Sequence, residues 1–193
     1  ACQTPIFLAH ENNLCHDQEV GFFAPFSIGK KSQKESEMHV VIQGAGRGIG
    51  YAMAKQAIAA GATQLILTAR HPACTTGFRK LPPSDIVHWV EMDFLDPTSI
   101  SVAATQIIEK SPIIDRLIIV GGVLKDNETQ PEKRLSDIDP SALHYSYQVN
   151  AIGPILLVKS LWQVLRKPRP LVVASLSARV GSISDNQLGG WYG

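Results

Sequence analysis

Cysteine is scarce in this sequence. Cys2, Cys15 and Cys74 are the three it contains, an odd number, widely spaced and without a C-x-x-C pair, which excludes a disulfide framework or a zinc knuckle as the organising device. A reducing, cytoplasmic setting is the expectation. Long apolar runs are missing too: nothing approaches the ~20 residues that span a bilayer, and no basic segment leading into a continuous apolar stretch opens the chain. No membrane contact is expected. Charge of one sign is also lacking, with a formal net charge of +1 and no like-charge block longer than Lys30-Lys31. Without a basic face there is little counterion release to gain from a polyphosphate backbone, so nucleic acid is not an expected partner.

Apolar residues make up 45% of the 193 and charged residues 18%, which suits one soluble domain with a filled core and excludes disorder throughout. The first residue is Ala1 rather than Met, as in a segment of a longer reading frame. Residues 1–37 show neither helical nor strand periodicity and read as an appended arm of unclear structure. Within the arm His10, Cys15, His16 and Asp17 bring metal-ligand types together, but adjacent Cys15-His16 lacks ligand spacing, and no metal is expected. From Met38 to Gly193 the pattern is that of a single domain.

That domain alternates short apolar runs with helix-like stretches. Val40-Val41-Ile42 predicts a strand, followed by a glycine-rich turn and an alanine-rich helix from Ile49 to Ala60 closed by Gly61. Leu65-Ile66-Leu67 and 86–90 predict two further strands. Asp96 and Pro97 predict the cap and first turn of a helix reaching Lys110. Leu117 to Val120 and Leu171 to Ala174 complete the strands, and between them 140–166 predicts one long helix bent at Gly153-Pro154. Strands apolar on both faces and separated by helices imply a covered parallel sheet. The predicted fold class is α/β, a doubly wound parallel (Rossmann) sheet, incomplete at the C-terminus.

The turn Gly44-Ala45-Gly46-Arg47-Gly48-Ile49-Gly50 lies between strand and helix, where backbone N–H groups and the helix dipole receive a diphosphate. Its spacing through Gly44, Gly48 and Gly50 is G-x-x-x-G-x-G. The second strand ends Thr68-Ala69-Arg70 with no acid to accept from a ribose 2′-hydroxyl and with a guanidinium able to pair a 2′-phosphate. NADP(H) is therefore expected ahead of NAD(H), with Arg47 a second cationic contact.

The glycine spacing resembles the short-chain dehydrogenase/reductase superfamily, and the resemblance runs from Met38 to the end. By that resemblance Asp93, in Met92-Asp93-Phe94, meets the adenine amine; the bland alternative is that it caps a turn. Gly121-Gly122 stand where the family pattern is Asn-Asn-Ala-Gly, a departure that keeps close backbone approach to the cofactor but lacks the bracing side chains. Asn150, in Val149-Asn150-Ala151-Ile152-Gly153, matches the helix asparagine that holds a water in the proton relay. Ser177 matches the catalytic serine, with Ser175 as second choice. The segments around Gln130 to Arg134, Asn150, and Ser177 to Tyr192 resemble more narrowly the C-factor, or cell–cell signalling, subgroup.

The resemblance implies hydride transfer between NADP(H) and a carbonyl or alcohol substrate, with a tyrosine phenol exchanging the proton beside a lysine four residues on. No Tyr-x-x-x-Lys follows Ser177 before Gly193, and Tyr192 reads as an aromatic at the site's lip. Negligible turnover by these residues alone, aggregation through an open sheet edge and homo-oligomerisation of the longer protein are the attendant expectations. Two other classes fit the same pattern: a non-catalytic dinucleotide-binding sensor, and an interaction module that uses the sheet without cofactor.

Overall fold

A computed structural model describes residues 37–124 and 131–178, with 181, 182 and 184. The expected arm, 1–37, lies outside the described residues except for Glu37. Among the described residues the elements are β1 (His39–Gln43), α1 (Gly48–Ala59), β2 (Gln64–Ala69), α2 (Thr76–Lys80), β3 (Val87–Glu91), α3 (Pro97–Lys110), β4 (Arg116–Ile119), α4 (Pro140–Tyr147), α5 (Gly153–Leu165) and β5 (Val172–Ser175). The strands form one sheet in the order β3-β2-β1-β4-β5, and every pairing is parallel. This is the doubly wound α/β arrangement. Its topological switch point lies between β1 and β4, and such sheets open a binding crevice at the carboxyl ends of the strands there.

The register explains why the strands read as continuous apolar runs. Alternate residues face opposite sides, so Val41, Ile66, Val90, Leu117 and Ile119 share one core with Ile100, Ala103, Ala104 and Ile107 of α3 and Leu157, Leu161, Val164 and Leu165 of α5. The intervening residues Val40, Ile42, Leu65 and Leu67 point the other way, into a smaller core with Ala54 of α1 and Leu81. Both faces are covered, as a parallel sheet requires.

The helix termini form as the sequence predicts wherever the signal is local. Asp96 caps α3, its Oδ1 accepting from Thr98 N–H at 2.8 Å. After α1 the chain turns through Gly61, at φ +83. Gly61 N–H bonds Ile58 C=O and Ala62 N–H bonds Ala57 C=O, both at 3.0 Å, which is a Schellman motif.

The long predicted helix is broken differently from expectation. Its segments α4 and α5 are joined by a π-helical turn, Gln148–Ile152, directly ahead of Pro154. Proline has no N–H for the carbonyl four residues back and its ring crowds that group. The chain accommodates this by widening the turn before the proline. Helix α2 lacked a sequence signal because five residues are too few for periodicity; Thr75 starts it, Oγ1 accepting from Phe78 N–H at 3.1 Å.

The amino ends of the central strands are pinned by polar groups. Asp115 accepts from His39 N–H at 2.8 Å and also pairs with the Arg169 guanidinium. Lys167 Nζ donates to Pro112 C=O at 2.8 Å. These contacts leave the opposite, carboxyl end of the sheet to form the site.

Candidate functional site

Gln43 ends β1 at the switch point, and the chain turns there through Gly44 at φ +80. A Cβ on Gly44 would also stand 2.7 Å from Gly121 N, so no side chain fits between β1 and the strand beside it. Gly50 packs on the same turn, where a Cβ would lie 2.2 Å from Gly44 O; on Gly46 it would lie 2.7 Å from Thr75 Cγ2. Three glycines thus let two backbones and a helix meet. Gly48 has open space beside it and is required for its φ of +54.

The amides divide into two sets. Gly44 and Ala45 both donate to Thr68 C=O, at 3.1 and 3.0 Å, which locks the turn onto β2. Beyond them Arg47 is the N-cap of α1 in extended conformation, with no side-chain cap and no acid in the first turn. The first N–H groups of a helix have no intrahelical acceptor. Here, among the described residues, no side chain satisfies them, so the positive end of the dipole faces the crevice bare. Arg47 and Ile49 are exposed beside it.

Arg70 follows β2 directly and is exposed. The Cβ of Ala69, the residue before it, lies 3.4 Å from where a Cβ on Gly46 would stand, so the end of β2 lies beside the glycine turn. Glu91, opposite Ala69 on β3, turns its carboxylate to His71 Nδ1 at 3.5 Å. Asp93 takes the role that its bland reading predicts: Oδ1 accepts from Leu95 N–H at 3.0 Å, while its own N–H goes to Ser99 Oγ at 3.0 Å. That turn employs one carboxylate oxygen, Oδ1.

Gly121 and Gly122 follow β4. The departure from the asparagine-rich pattern has a partner that the sequence reading passed over, Gln43. This side chain is 8% exposed, and its Oε1 accepts from Gly121 N–H at 2.8 Å. A Cβ on Gly121 would collide with Gln43 Nε2 at 2.5 Å. The brace between β1 and β4 therefore comes from β1, and the glycine makes room for it. No local pattern announces a contact between positions 78 apart.

Asn150, in the π-helical turn, faces the same loop. Its Oδ1 accepts from Val123 N–H and its Nδ2 donates to Val123 C=O, both at 2.8 Å. Nδ2 also reaches Ser146 Oγ at 3.2 Å. The side chain is thus occupied with the main chain. Gln148, also passed over, donates from Nε2 to Phe94 C=O at 2.9 Å. Ser177 is exposed two residues beyond β5, after Leu176 N–H closes the ladder onto Ile119 C=O at 2.8 Å.

A Tyr-x-x-x-Lys spacing does occur, at Tyr51 and Lys55 on α1. There Lys55 Nζ sits over the Tyr51 ring, 4.9 Å from its centroid, and the tyrosine packs on the smaller core. That places the pair in helix packing. Among the described residues no His, Cys, Asp and Glu group could hold a metal ion, and no helix is long and apolar enough to cross a membrane. His10, Cys15, His16, Gln130 and the 185–193 segment with Tyr192 lie outside the described residues.

A parallel sheet whose switch point carries a glycine turn and an uncapped helix start defines the class of doubly wound, nucleotide-binding α/β proteins. Within that class the chain belongs to the short chain dehydrogenase family, whose model matches residues 38–185, and which is a family of oxidoreductases. It is 27% identical over 145 residues to an uncharacterised oxidoreductase of Schizosaccharomyces pombe, covering 75% of this chain and 55% of that protein. The chain thus spans about half the length of this curated relative. The fold is similar to carbonyl reductase Sniffer of Drosophila melanogaster, with a TM-score of 0.71 at 20% identity, over 81% of this chain and 68% of the other. It is also similar to the NADPH-bound carbonyl reductase of chicken fatty liver, with a TM-score of 0.58 at 23% identity, over 68% and 50% of the two chains.

Proposed function

We propose that this chain binds NADP(H) and serves hydride transfer between that cofactor and a small carbonyl or alcohol compound. The carrying observation is the uncapped start of α1 at the switch point, with Arg70 exposed at the end of the neighbouring strand β2. The diphosphate would be held by the amides of Gly46, Arg47, Gly48, Ile49 and Gly50, and the 2′-phosphate by Arg70 with Arg47. Asp93 would accept from the adenine amine through its other carboxylate oxygen, and Gly121 and Gly122 would let the β4 loop approach the nicotinamide half. When bound, the cofactor supplies or removes the hydride.

This chain's own groups would do part of the remaining work, since no Tyr-x-x-x-Lys of the kind the resemblance requires lies between Ser177 and Gly193. Ser177, by its place after β5, would donate its hydroxyl hydrogen to the substrate oxygen and polarise the carbon that changes oxidation state. Asn150 would hold the β4 loop with its side chain and, as the resemblance implies, help to hold a water that passes the proton. The NADPH found in the chicken protein supports the choice of cofactor, as does the absence of an acid at position 70. The narrower C-factor reading rests on the sequence resemblance of Gln130 to Arg134, the Asn150 segment and Ser177 to Tyr192.

Titration calorimetry of the chain with NADPH and NADH tests the reading. NADPH is expected to bind at least about ten-fold more tightly, the equivalent of one charge-assisted pair. Equal affinities would remove the role of Arg70, and binding of neither would remove the reading altogether.

A further inference from the structure

Two loops leave the carboxyl edge of the sheet on either side of the switch point, 92–96 after β3 and 121–124 after β4. Both are tied to the same short stretch of helix. Gln148 Nε2 donates to Phe94 C=O at 2.9 Å, and Gly153 receives the Phe94 ring so closely that a Cβ would stand 2.5 Å from its Cγ. Asn150 clasps Val123 through both main-chain groups. Side chains two positions apart on a helix do not face the same way, so one π-helical turn can hold two separate loops.

We propose that Gln148 is a positioning residue for the adenine end of the cofactor site, acting through the Phe94 carbonyl, while Asn150 positions the nicotinamide end. The inference rests on the NADP(H) reading above. The Asp93 turn is held from within by Asp93 Oδ1 on Leu95 N–H and by Ser99 Oγ on Asp93 N–H. Those bonds shape the turn but do not fix its height over the sheet. Gln148 does so from across the chain, bonding the Phe94–Leu95 peptide, the same unit whose N–H Asp93 Oδ1 accepts. The Phe94 ring is 4% exposed and anchored in the core, so removing the amide donor frees the peptide without unseating the side chain.

The test separates the two halves of the cofactor. The chain is titrated with NADPH, and bound NADPH is displaced with adenosine 2′,5′-bisphosphate or with reduced nicotinamide mononucleotide. In Gln148→Leu the bisphosphate is expected to bind roughly five-fold more weakly, one lost hydrogen bond, and the mononucleotide to change by less than about two-fold, as for a distant site. Asn150→Leu is expected to show the reverse pattern. Gln148→Lys, which restores a donor, should recover most of the bisphosphate affinity. If Gln148→Leu does not fold, Gln148→Glu, lacking a donor at neutral pH, is expected to give the same selective loss. Equal loss of both ligands, or loss of neither, overturns the inference while NADPH binding by the unaltered chain leaves the site reading intact. Failure of the unaltered chain to bind NADPH overturns both.

Discussion

At Gly50 the helix and the turn before it come into contact so closely that a methyl group would lie 2.2 Å from the Gly44 carbonyl oxygen. Gly50→Ala is therefore expected to lower stability by at least about 1–3 kcal/mol, as overpacking does, and to abolish NADPH binding, both readable from urea unfolding with and without ligand. Arg70→Glu is expected to leave unfolding unchanged, because the side chain is exposed, and to reverse the order of affinities so that NADH binds better than NADPH. Thr68 offers the opposite kind of change. Its Oγ1 is buried with no hydrogen-bond partner among the described residues, so Thr68→Val is expected to raise the urea midpoint by relieving an unsatisfied hydroxyl; a lower midpoint would show that the oxygen is satisfied. The residues legible in the sequence were those whose chemistry is local: the glycine turn and the Asp96 cap. Gln43 was not, because its meaning lies in the Gly121 amide on another strand.

Among the elements, the strands, α1 and α3 follow from apolar runs and from capping signals within a few residues of each terminus. The region 140–166 does not reduce to periodicity. Its proline was legible as a bend, but the form of the bend, a π-helical turn carrying Gln148 and Asn150 to two loops, depends on what those loops present. Asn150→Leu removes two bonds to the Val123 main chain and is expected to cost about 1–3 kcal/mol. Hydrogen exchange should localise the change, with faster exchange at Val123 N–H and little change in β2. Uniform acceleration across the sheet would contradict the view of this turn as a local clasp.

Over the whole molecule the two ends of the sheet do different work. Asp115 ties the amino ends of β1 and β4 together and anchors Arg169 ahead of β5. Asp115→Ala is expected to cost about 1.5–3 kcal/mol, the range for a bond to a charged group, with no change in NADPH affinity, since the site lies at the far edge. A loss of affinity at constant stability would couple the two ends in a way this fold does not. The layered architecture was legible because apolar strands alternating with helices allow few other arrangements. What the fold leaves open is chemistry, which resides in the site.

In the proposed site the amides opening α1 receive a diphosphate while Arg70 selects the phosphorylated ribose. Amide and guanidinium chemical shifts of the labelled chain, followed as NADPH is added, test it most directly. The expected result is saturable movement concentrated at Gly46 to Gly50 and at the Arg70 side chain, with the Arg70 response absent when NADH is used. Shifts that spare the start of α1, or an Arg70 response identical for the two cofactors, would contradict it.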